Sequence, residues 1–152
     1  YHLHDCVVPR SKLVDVLAGV YEIASRHDII VTNVFHAGDG NLHPLLSFDR
    51  RIPGTLERVL SASEQIVRLC VEYGGSLTGE HGIGLEKRDF MPLVFSDVDL
   101  GAQACVRAAF DPEGRMNPQK VLPAGARCGD FAMARGTDAA QAAQSIPEGS
   151  WI

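Results

Sequence analysis

Long apolar runs, runs of one charge and a secretion leader are missing from this sequence, and each absence excludes a class of protein. No apolar stretch approaches the ~20 residues that a membrane-spanning helix needs, and no charged leader precedes an apolar stretch and a cleavage site. The 14 lysines and arginines are scattered and the net charge is −5, so nucleic acid is not an expected partner. We therefore expect a protein that neither spans a membrane nor is secreted.

Cysteine is also scarce. Cys6, Cys70, Cys105 and Cys128 are widely spaced and form no CxxC pair, so we predict reduced thiols that mostly fill the core. The rest of the composition is that of one soluble domain: of 152 residues, 45% are hydrophobic and 22% charged, which is enough for a single core. Because the chain opens at Tyr1 without a methionine, we expect a piece of a longer protein.

Hydrophobic periodicity predicts two helices with strands around them. Apolar positions at helical spacing predict a first helix over 9–27 and a second over 56–71, which a glycine pair ends at 74–75. Strands are predicted over 1–8, 29–35, 44–48 and, shorter, 76–78. The order strand, helix, strand, strand, helix, strand predicts an α+β fold. It matches a ferredoxin-like split βαβ antiparallel sheet, with both helices on one face.

A third helix and a tail are predicted for the C-terminal part. Ser96 or Asp97 is a good N-cap, and this helix should end at Phe110, before an Asp-Pro pair. After residue 123 large apolar residues become rare, whereas Ala, Gly, Gln and Ser are common. We therefore predict one domain over 1–123 and an extended tail over 124–152.

Two histidines stand at the ends of a glycine-bracketed acidic turn. The segment reads His36-Ala-Gly-Asp-Gly-Asn-Leu-His43 between two apolar runs, and its Asp-Gly pair tolerates positive φ, so we predict a β-hairpin. His36 and His43 would face each other across it, with Cβ atoms roughly 4.5–5.5 Å apart. Two imidazoles at that distance suit one shared metal ion, although hairpin histidines are more often surface or hydrogen-bonding residues.

A second polar segment, over 78–84, offers a carboxylate and another histidine. On extended backbone the neighbours Glu80 and His81 point in opposite directions, so one could complete a two-histidine, one-carboxylate set while the other faces a neighbouring cavity. Three protein ligands with open positions are typical of a catalytic ion. The glycines of the segment match neither GxGxxG nor GxxxxGK[ST], so we interpret them as tight turns.

Other polar residues have less specific interpretations. Lys87 and Arg88 are either the solvated start of a helix or candidates to pair with a substrate carboxylate. Asn41 is interpreted as a brace of the hairpin through its side chain. The remaining histidines have no matching partners in the sequence and are not predicted as ligands: His2, His4 and His27.

Three segments in this order carry a family resemblance: 36–43, Gly79-Glu-His-Gly-Ile-Gly84, and Phe110-Asp-Pro-Glu-Gly-Arg-Met-Asn-Pro118 with Lys120. Together they resemble the C-terminal part of the FAD-linked oxidases of the vanillyl-alcohol oxidase type, over about residues 1–123. That family includes D-lactate dehydrogenases, D-2-hydroxyglutarate dehydrogenase and the flavin subunit of bacterial glycolate oxidase. The tail around Arg127-Cys128 resembles the last of these in particular.

The resemblance implies a role for each matching residue. His36, His43 and Glu80 would hold a divalent metal, Zn, Mn or Fe, His81 would be the catalytic base, and Asn117 would lie beside the flavin. The family's FAD-binding domain lies N-terminal to this region, and nothing here resembles its phosphate-binding loop. The resemblance therefore implies that FAD is bound mainly by a domain absent from this chain, which alone would be colourless and inactive.

The reaction implied by the resemblance is the dehydrogenation of a small 2-hydroxy acid, with hydride transfer to FAD and electrons passed to other oxidase subunits or a quinone-linked acceptor. Such a protein would be cytoplasmic, or peripheral on a membrane through partner subunits. Hydroxyglutarate-type members resemble His-Leu-Asn after the hairpin, whereas here His43 is followed by Pro44-Leu45. A dicarboxylate substrate is therefore less expected. Two alternatives remain: a metal-dependent hydrolase or lyase, and a ferredoxin-like module with a structural metal.

Overall fold

The chain divides into two units, 1–82 and 83–152, in a computed structural model that describes residues 1–124 and 126. The division falls inside the predicted domain over 1–123, whose boundary remains a prediction. The predicted extended tail lies outside the described residues, apart from its positions 124 and 126.

An antiparallel sheet forms the centre of the first unit. Its central strand is β4 (Asn41–Ser47), and β3 (Ile30–His36) pairs along one side of it. Two short strands, β1 (His2–Leu3) and β2 (Cys6–Val7), pair along the other side. The two hairpin strands agree with the sequence-based expectation within a few residues, whereas the strand predicted over 1–8 is interrupted.

The interruption leaves β1 and β2 as successive parts of one strand. Between them, the backbone N–H of His4 donates to the carbonyl oxygen of Pro44 at 2.9 Å, so the pairing with β4 continues. Beyond β2, an antiparallel bridge joins Val7 to Ser76, and this bridge is what the structure has in place of the strand predicted over 76–78. The order across the sheet is thus Ser76, β1 with β2, β4, β3, which is the ferredoxin-like order. The predicted α+β fold is confirmed.

Helices form where the sequence predicts them. They are α1 (Leu13–Arg26), α2 (Thr55–Glu72) and α3 (Asp97–Phe110), with 3-10 turns over Arg10–Lys12 and Arg88–Leu93. The first helix begins later than predicted, because the residues after Pro9 form the 3-10 turn. At the start of α3 the hydroxyl of Ser96 accepts from the backbone N–H of Asp99, whose carboxylate accepts from the Ser96 N–H. This capping box explains why α3 starts where the sequence predicts.

Both helices of the first unit pack on one face of the sheet, as predicted. Leu42 and Leu46 of β4 lie in one buried cluster with residues of the two helices: Val16, Val20 and Ile23 of α1, and Val59, Ala62, Ile66 and Cys70 of α2. Because side chains alternate along a strand, Asn41 and His43 point to the opposite face of the sheet. The core therefore fixes which face carries the hairpin histidine.

The three cysteines within the described residues have two different states, and Cys128 lies outside these residues. Cys6 and Cys70 are buried in the core of the first unit, which confirms their predicted packing role. Cys105 in α3 is disulfide-bonded, so the prediction of a reduced thiol is wrong there. Among residues 1–124 and 126, no helix combines the length and the apolar character that crossing a bilayer requires.

Candidate metal centre

The hairpin forms as predicted, but its register differs. His36 pairs with Asn41 and His43 pairs with Val34, because the turn takes four residues, 37–40. The prediction that the two histidines lie directly opposite each other is therefore wrong. They are diagonal neighbours on the same face of the sheet, and their rings still meet edge to face with centroids 5.5 Å apart.

Gly40 fixes that turn. Its φ is +73°, and a Cβ there would lie 2.1 Å from the carbonyl oxygen of Val8. The position is closed to other residues on both counts, since L side chains rarely adopt this φ and the neighbouring atom belongs to the backbone. The Gly40 carbonyl in turn accepts from the Val8 N–H at 3.0 Å, which ties the turn to the end of β2.

Glu80 brings a carboxylate to the two histidines. Its Oε1 lies 2.8 Å from Nε2 of His43 and 3.6 Å from Nε2 of His36. The three potential ligand atoms all lie within 4.8 Å of one another. Metal–ligand bonds of about 2.0–2.2 Å place neighbouring ligand atoms roughly 3–3.5 Å apart, so the set fits one ion with little movement.

The orientation of His43 is set by its other ring nitrogen. Its Nδ1 lies 3.2 Å from the carbonyl oxygen of His4, which can only accept a hydrogen bond. We therefore assign the proton to Nδ1, and a neutral imidazole then keeps its lone pair on Nε2, the atom beside Glu80. Metal-binding histidines are commonly held in this way by a backbone carbonyl. The residues present thus fit a divalent ion.

The site is closed on one side and open on the other. The side chain of His43 is 8% exposed, whereas those of His36 and Glu80 are 55% and 50% exposed. A structural ion is usually enclosed by four protein ligands, and a catalytic ion keeps a position for water or substrate. Within the described residues, three ligands with open surroundings favour the catalytic kind.

His81 lies beside this set and on the same side as Glu80. Its ring stacks on that of His43, with centroids 4.9 Å apart and an angle of 17°, and its Nε2 is 3.9 Å from Oε1 of Glu80. The predicted opposite directions of Glu80 and His81 are therefore wrong. The segment is bent and not extended, so the alternation rule for strands does not apply to it.

Asp5 imposes that bend, and the sequence analysis missed it. This residue is 1% exposed, and its Oδ2 accepts from the Thr78 hydroxyl and from three successive backbone N–H groups, those of Gly79, Glu80 and His81, at 2.9, 3.0 and 2.9 Å. Burial alone would raise the pKa of Asp5, but these four donors together lower it well below its ordinary value. The sequence feature that could have identified Asp5 was its position as an acidic residue inside an alternating, strand-like segment.

Gly79 and Asn41 complete the base of the site. A Cβ at Gly79 would lie 2.5 Å from Cγ2 of Val7 and 3.0 Å from Nδ2 of Asn41, so this close approach requires glycine. The buried Asn41 side chain donates to Oε1 of Glu80 at 3.4 Å. Its contact is therefore with the ligand, and not within the hairpin as predicted.

In the second unit, Lys87 and Arg88 are more buried than the interpretation as a solvated helix start predicts. Lys87 is 7% exposed, so its interpretation as a solvated helix start is wrong, and Arg88 is partly buried. The Arg88 Nη1 donates to the carbonyl oxygen of Gln119 at 2.8 Å. This contact places Arg88 against the loop that carries Asn117.

That loop, 116–120, is held from α3 by Arg107, which donates to the carbonyl oxygens of Met116, Asn117 (2.9 Å) and Lys120 (3.0 Å). Asn117 has φ +45°, and its Oδ1 accepts from Nζ of Lys120 at 3.3 Å. The structure thus brings the predicted residues together in two groups. His36, His43, Glu80 and His81 form one in the first unit, and Arg88 meets the Asn117 loop in the second.

Comparisons with known proteins identify the family of this chain. The profile of a family described as FAD linked oxidases, C-terminal domain, matches residues 1–121. The chain belongs to this family. The resemblance that the three motifs indicated is confirmed.

Similar proteins include the glycolate oxidase subunit GlcD of Escherichia coli K12, 45% identical over 131 residues, which are 86% of this chain and 26% of that protein. GlcD of Bacillus subtilis is 38% identical over 82% of this chain and 27% of its own length. The mitochondrial D-lactate dehydrogenase [cytochrome] of Kluyveromyces lactis is 31% identical over 78% of this chain and 20% of its own length. The chain thus spans between 20% and 27% of the length of these three relatives.

Proposed function

We propose that this chain is the C-terminal portion of a flavin-dependent 2-hydroxy acid dehydrogenase of the glycolate or D-lactate type. A divalent metal, Zn, Mn or Fe, would be held by His36, His43 and Glu80. The observation that carries the proposal is the convergence of three ligand atoms within 4.8 Å, one of them on a histidine already oriented by a backbone carbonyl. FAD-linked oxidase membership supplies the expectation of flavin.

Held by His36, His43 and Glu80, a divalent ion would supply the Lewis-acid chemistry that favours loss of the substrate's hydroxyl proton. His81 would take this proton on its Nε2. In support, its half-exposed ring stacks on that of His43, and its Nε2 lies 3.9 Å from Oε1 of Glu80. The chemistry that FAD would supply is that of a hydride acceptor for the α-carbon of the substrate. The 2-hydroxy acid thus loses one proton and one hydride and becomes a 2-oxo acid.

Flavin and partners belong to the whole protein and are part of the proposal. We infer that a separate N-terminal FAD-binding domain holds most of the flavin, that Asn117 lies beside it, and that other oxidase subunits or a quinone-linked acceptor take the electrons. Lys87 and Arg88 remain the candidates for the substrate carboxylate. The Nη1 of Arg88 also donates to the Gln119 carbonyl.

The proposal is tested on the full-length gene product by anaerobic mixing with glycolate or D-lactate while the flavin absorbance is followed. The parent should bleach, and His36→Ala should lose both metal and most of the bleaching rate. His27→Ala is the matched control, because His27 contacts Gln65 at 2.7 Å and lies outside the ligand set. A parent without flavin, or a His36 variant that bleaches at the parental rate, would exclude the proposed reaction.

A further inference from the structure

One buried carboxylate and its neighbour join the two halves of the candidate metal centre. Residues 4 and 5 lie between β1 and β2, where the His4 carbonyl oxygen accepts from Nδ1 of His43. The next side chain, Asp5, accepts from the loop that carries Glu80. Two adjacent residues of one interrupted strand therefore orient a ligand on the hairpin and a ligand on a loop more than seventy residues further along the chain.

We propose that Asp5 is a positioning residue for this site, in that its carboxylate holds the loop over 78–81 so that Glu80 and His81 face the hairpin histidines. This inference rests on the proposed function, since it assigns a role in holding the same metal. Asp5 meets this loop through its carboxylate. It acts through the Thr78 hydroxyl and the backbone of the loop.

The geometry makes the loop dependent on this one oxygen. Three successive backbone N–H groups point inward to Oδ2, which extended backbone does not do, because its N–H groups alternate in direction. The Thr78 hydroxyl, which donates to the same oxygen, also accepts from the N–H of Gly82 at 2.8 Å. Without the carboxylate, the donors of 78–81 lose their common acceptor, and buried donors do not stay unpaired.

The position of Glu80 should then be lost before the fold is lost. The hairpin, the helices and the hydrophobic cluster hold His36 and His43 independently of this loop. Groups that orient a ligand from behind typically contribute 10–100-fold to metal affinity. A residue that only stabilises the fold would lower the melting temperature and leave the affinity of the folded protein unchanged.

Asp111 offers a matched control, because it is also a buried aspartate that accepts from two backbone N–H groups, those of Arg115 and Met116, at 2.8 and 2.9 Å. It belongs to the second unit, whereas the ligand set belongs to the first. Asp111→Asn therefore removes a loop anchor of the same kind without touching the Glu80 loop.

The experiment measures Zn²⁺ and Mn²⁺ affinity by competition with a chromophoric chelator, using folded parent, Asp5→Asn and Asp111→Asn. Asp5→Asn should bind 10–100-fold more weakly, and Asp111→Asn should bind within twofold of the parent. Hydrogen exchange is read in the same samples, where the amides of 79–81 should lose protection in Asp5→Asn alone. If Asp5→Asn does not fold, Thr78→Val, which keeps the shape and removes one donor, should show a smaller loss in the same direction.

Two results would overturn the inference while the proposed function stands. One is an Asp5→Asn or Thr78→Val protein that binds metal as tightly as a metal-binding parent. The other is equal loss of affinity in Asp5→Asn and Asp111→Asn, which would indicate a general effect on stability. A parent that binds neither ion would instead contradict the proposed metal centre, and the role of Asp5 in it would fall for that reason.

Discussion

Each of the two units of this chain has a buried aspartate that shapes a loop, but the other polar side chains of the two units make different contacts. Asp5 in the first unit and Asp111 in the second each collect successive backbone N–H groups and so shape a loop. In the first unit the loop presents Glu80 and His81 toward other polar side chains. In the second, the arginines turn back to donate to loop carbonyls.

This difference indicates where a ligand would bind. In the first unit, Nε2 of His36 and His43 and Oε1 of Glu80 converge on one another, and the side chains of His36 and Glu80 are about half exposed. In the second unit, Arg88 and Arg107 already use guanidinium N–H groups to hold the loop that carries Asn117. The converging side chains of the first unit are where we expect the metal ion, whereas these two arginines of the second unit hold a loop.

The largest expected effect separates Glu80 from His81 within the first unit. In the full-length protein, His81→Ala should keep flavin and metal but lower the rate of flavin reduction by roughly 10²–10⁴, the usual contribution of a positioned general base. Glu80→Ala should lose metal, because it removes one of three ligands. Metal content by elemental analysis and single-turnover bleaching with D-lactate or glycolate measure both. A His81 variant that loses its metal while the Glu80 variant keeps it would reverse the two roles.

The next largest effect concerns Asp5 and the pH dependence of the free energy of unfolding. Since hydrogen bonds hold the pKa of Asp5 below that of an unfolded aspartate, near 3.9, the charged form stabilises the folded state at pH values above that. This contribution falls as pH drops below about 4, where the unfolded chain takes up the proton first. Urea unfolding of the parent between pH 2.5 and 6 should therefore show a free energy of unfolding that rises with pH. Asp5→Asn should show a smaller slope below pH 4, and an unchanged slope would contradict the assignment.

The smallest expected effect is in the second unit. Arg107→Ala removes three hydrogen bonds to the 116–120 loop and should lower the free energy of unfolding by about 1–3 kcal/mol, since part of the arginine is solvent-exposed. Arg107→Lys should not restore it, because one ammonium cannot reproduce the planar donor array. Denaturant titration measures the loss. Metal affinity should stay at the parental value, and a large change in it would remove the contrast between the units.

The sequence predicted those parts of the fold that depend on local patterns. Periodicity located α1 and α2, the Ser96 cap and the Asp-Pro pair located α3, and the glycine-bracketed turn predicted the hairpin. Local patterns also chose the candidate ligands, because a histidine pair and a nearby carboxylate are recognisable in one dimension. Whether these residues bind metal stays a prediction.

The parts that could not be predicted depend on contacts between distant residues. The hairpin register depends on Gly40, whose backbone packs against Val8. The direction of Glu80 depends on Asp5, 75 positions earlier, so the alternation rule failed at a loop shaped by a remote carboxylate. Burial of Lys87 was missed for a related reason, since a charge in the sequence gives no sign of what will cover it.

The central claim is that His36, His43 and Glu80 hold one divalent ion, and a metal titration of the chain tests it most directly. The parent should bind close to one Zn²⁺ or Mn²⁺ per chain at pH 7.5 and release it below about pH 6, where histidines protonate. His43→Ala should bind at least 100-fold more weakly, and His27→Ala should match the parent. Equal affinity in His43→Ala and the parent, or no binding by the parent, would contradict the metal centre.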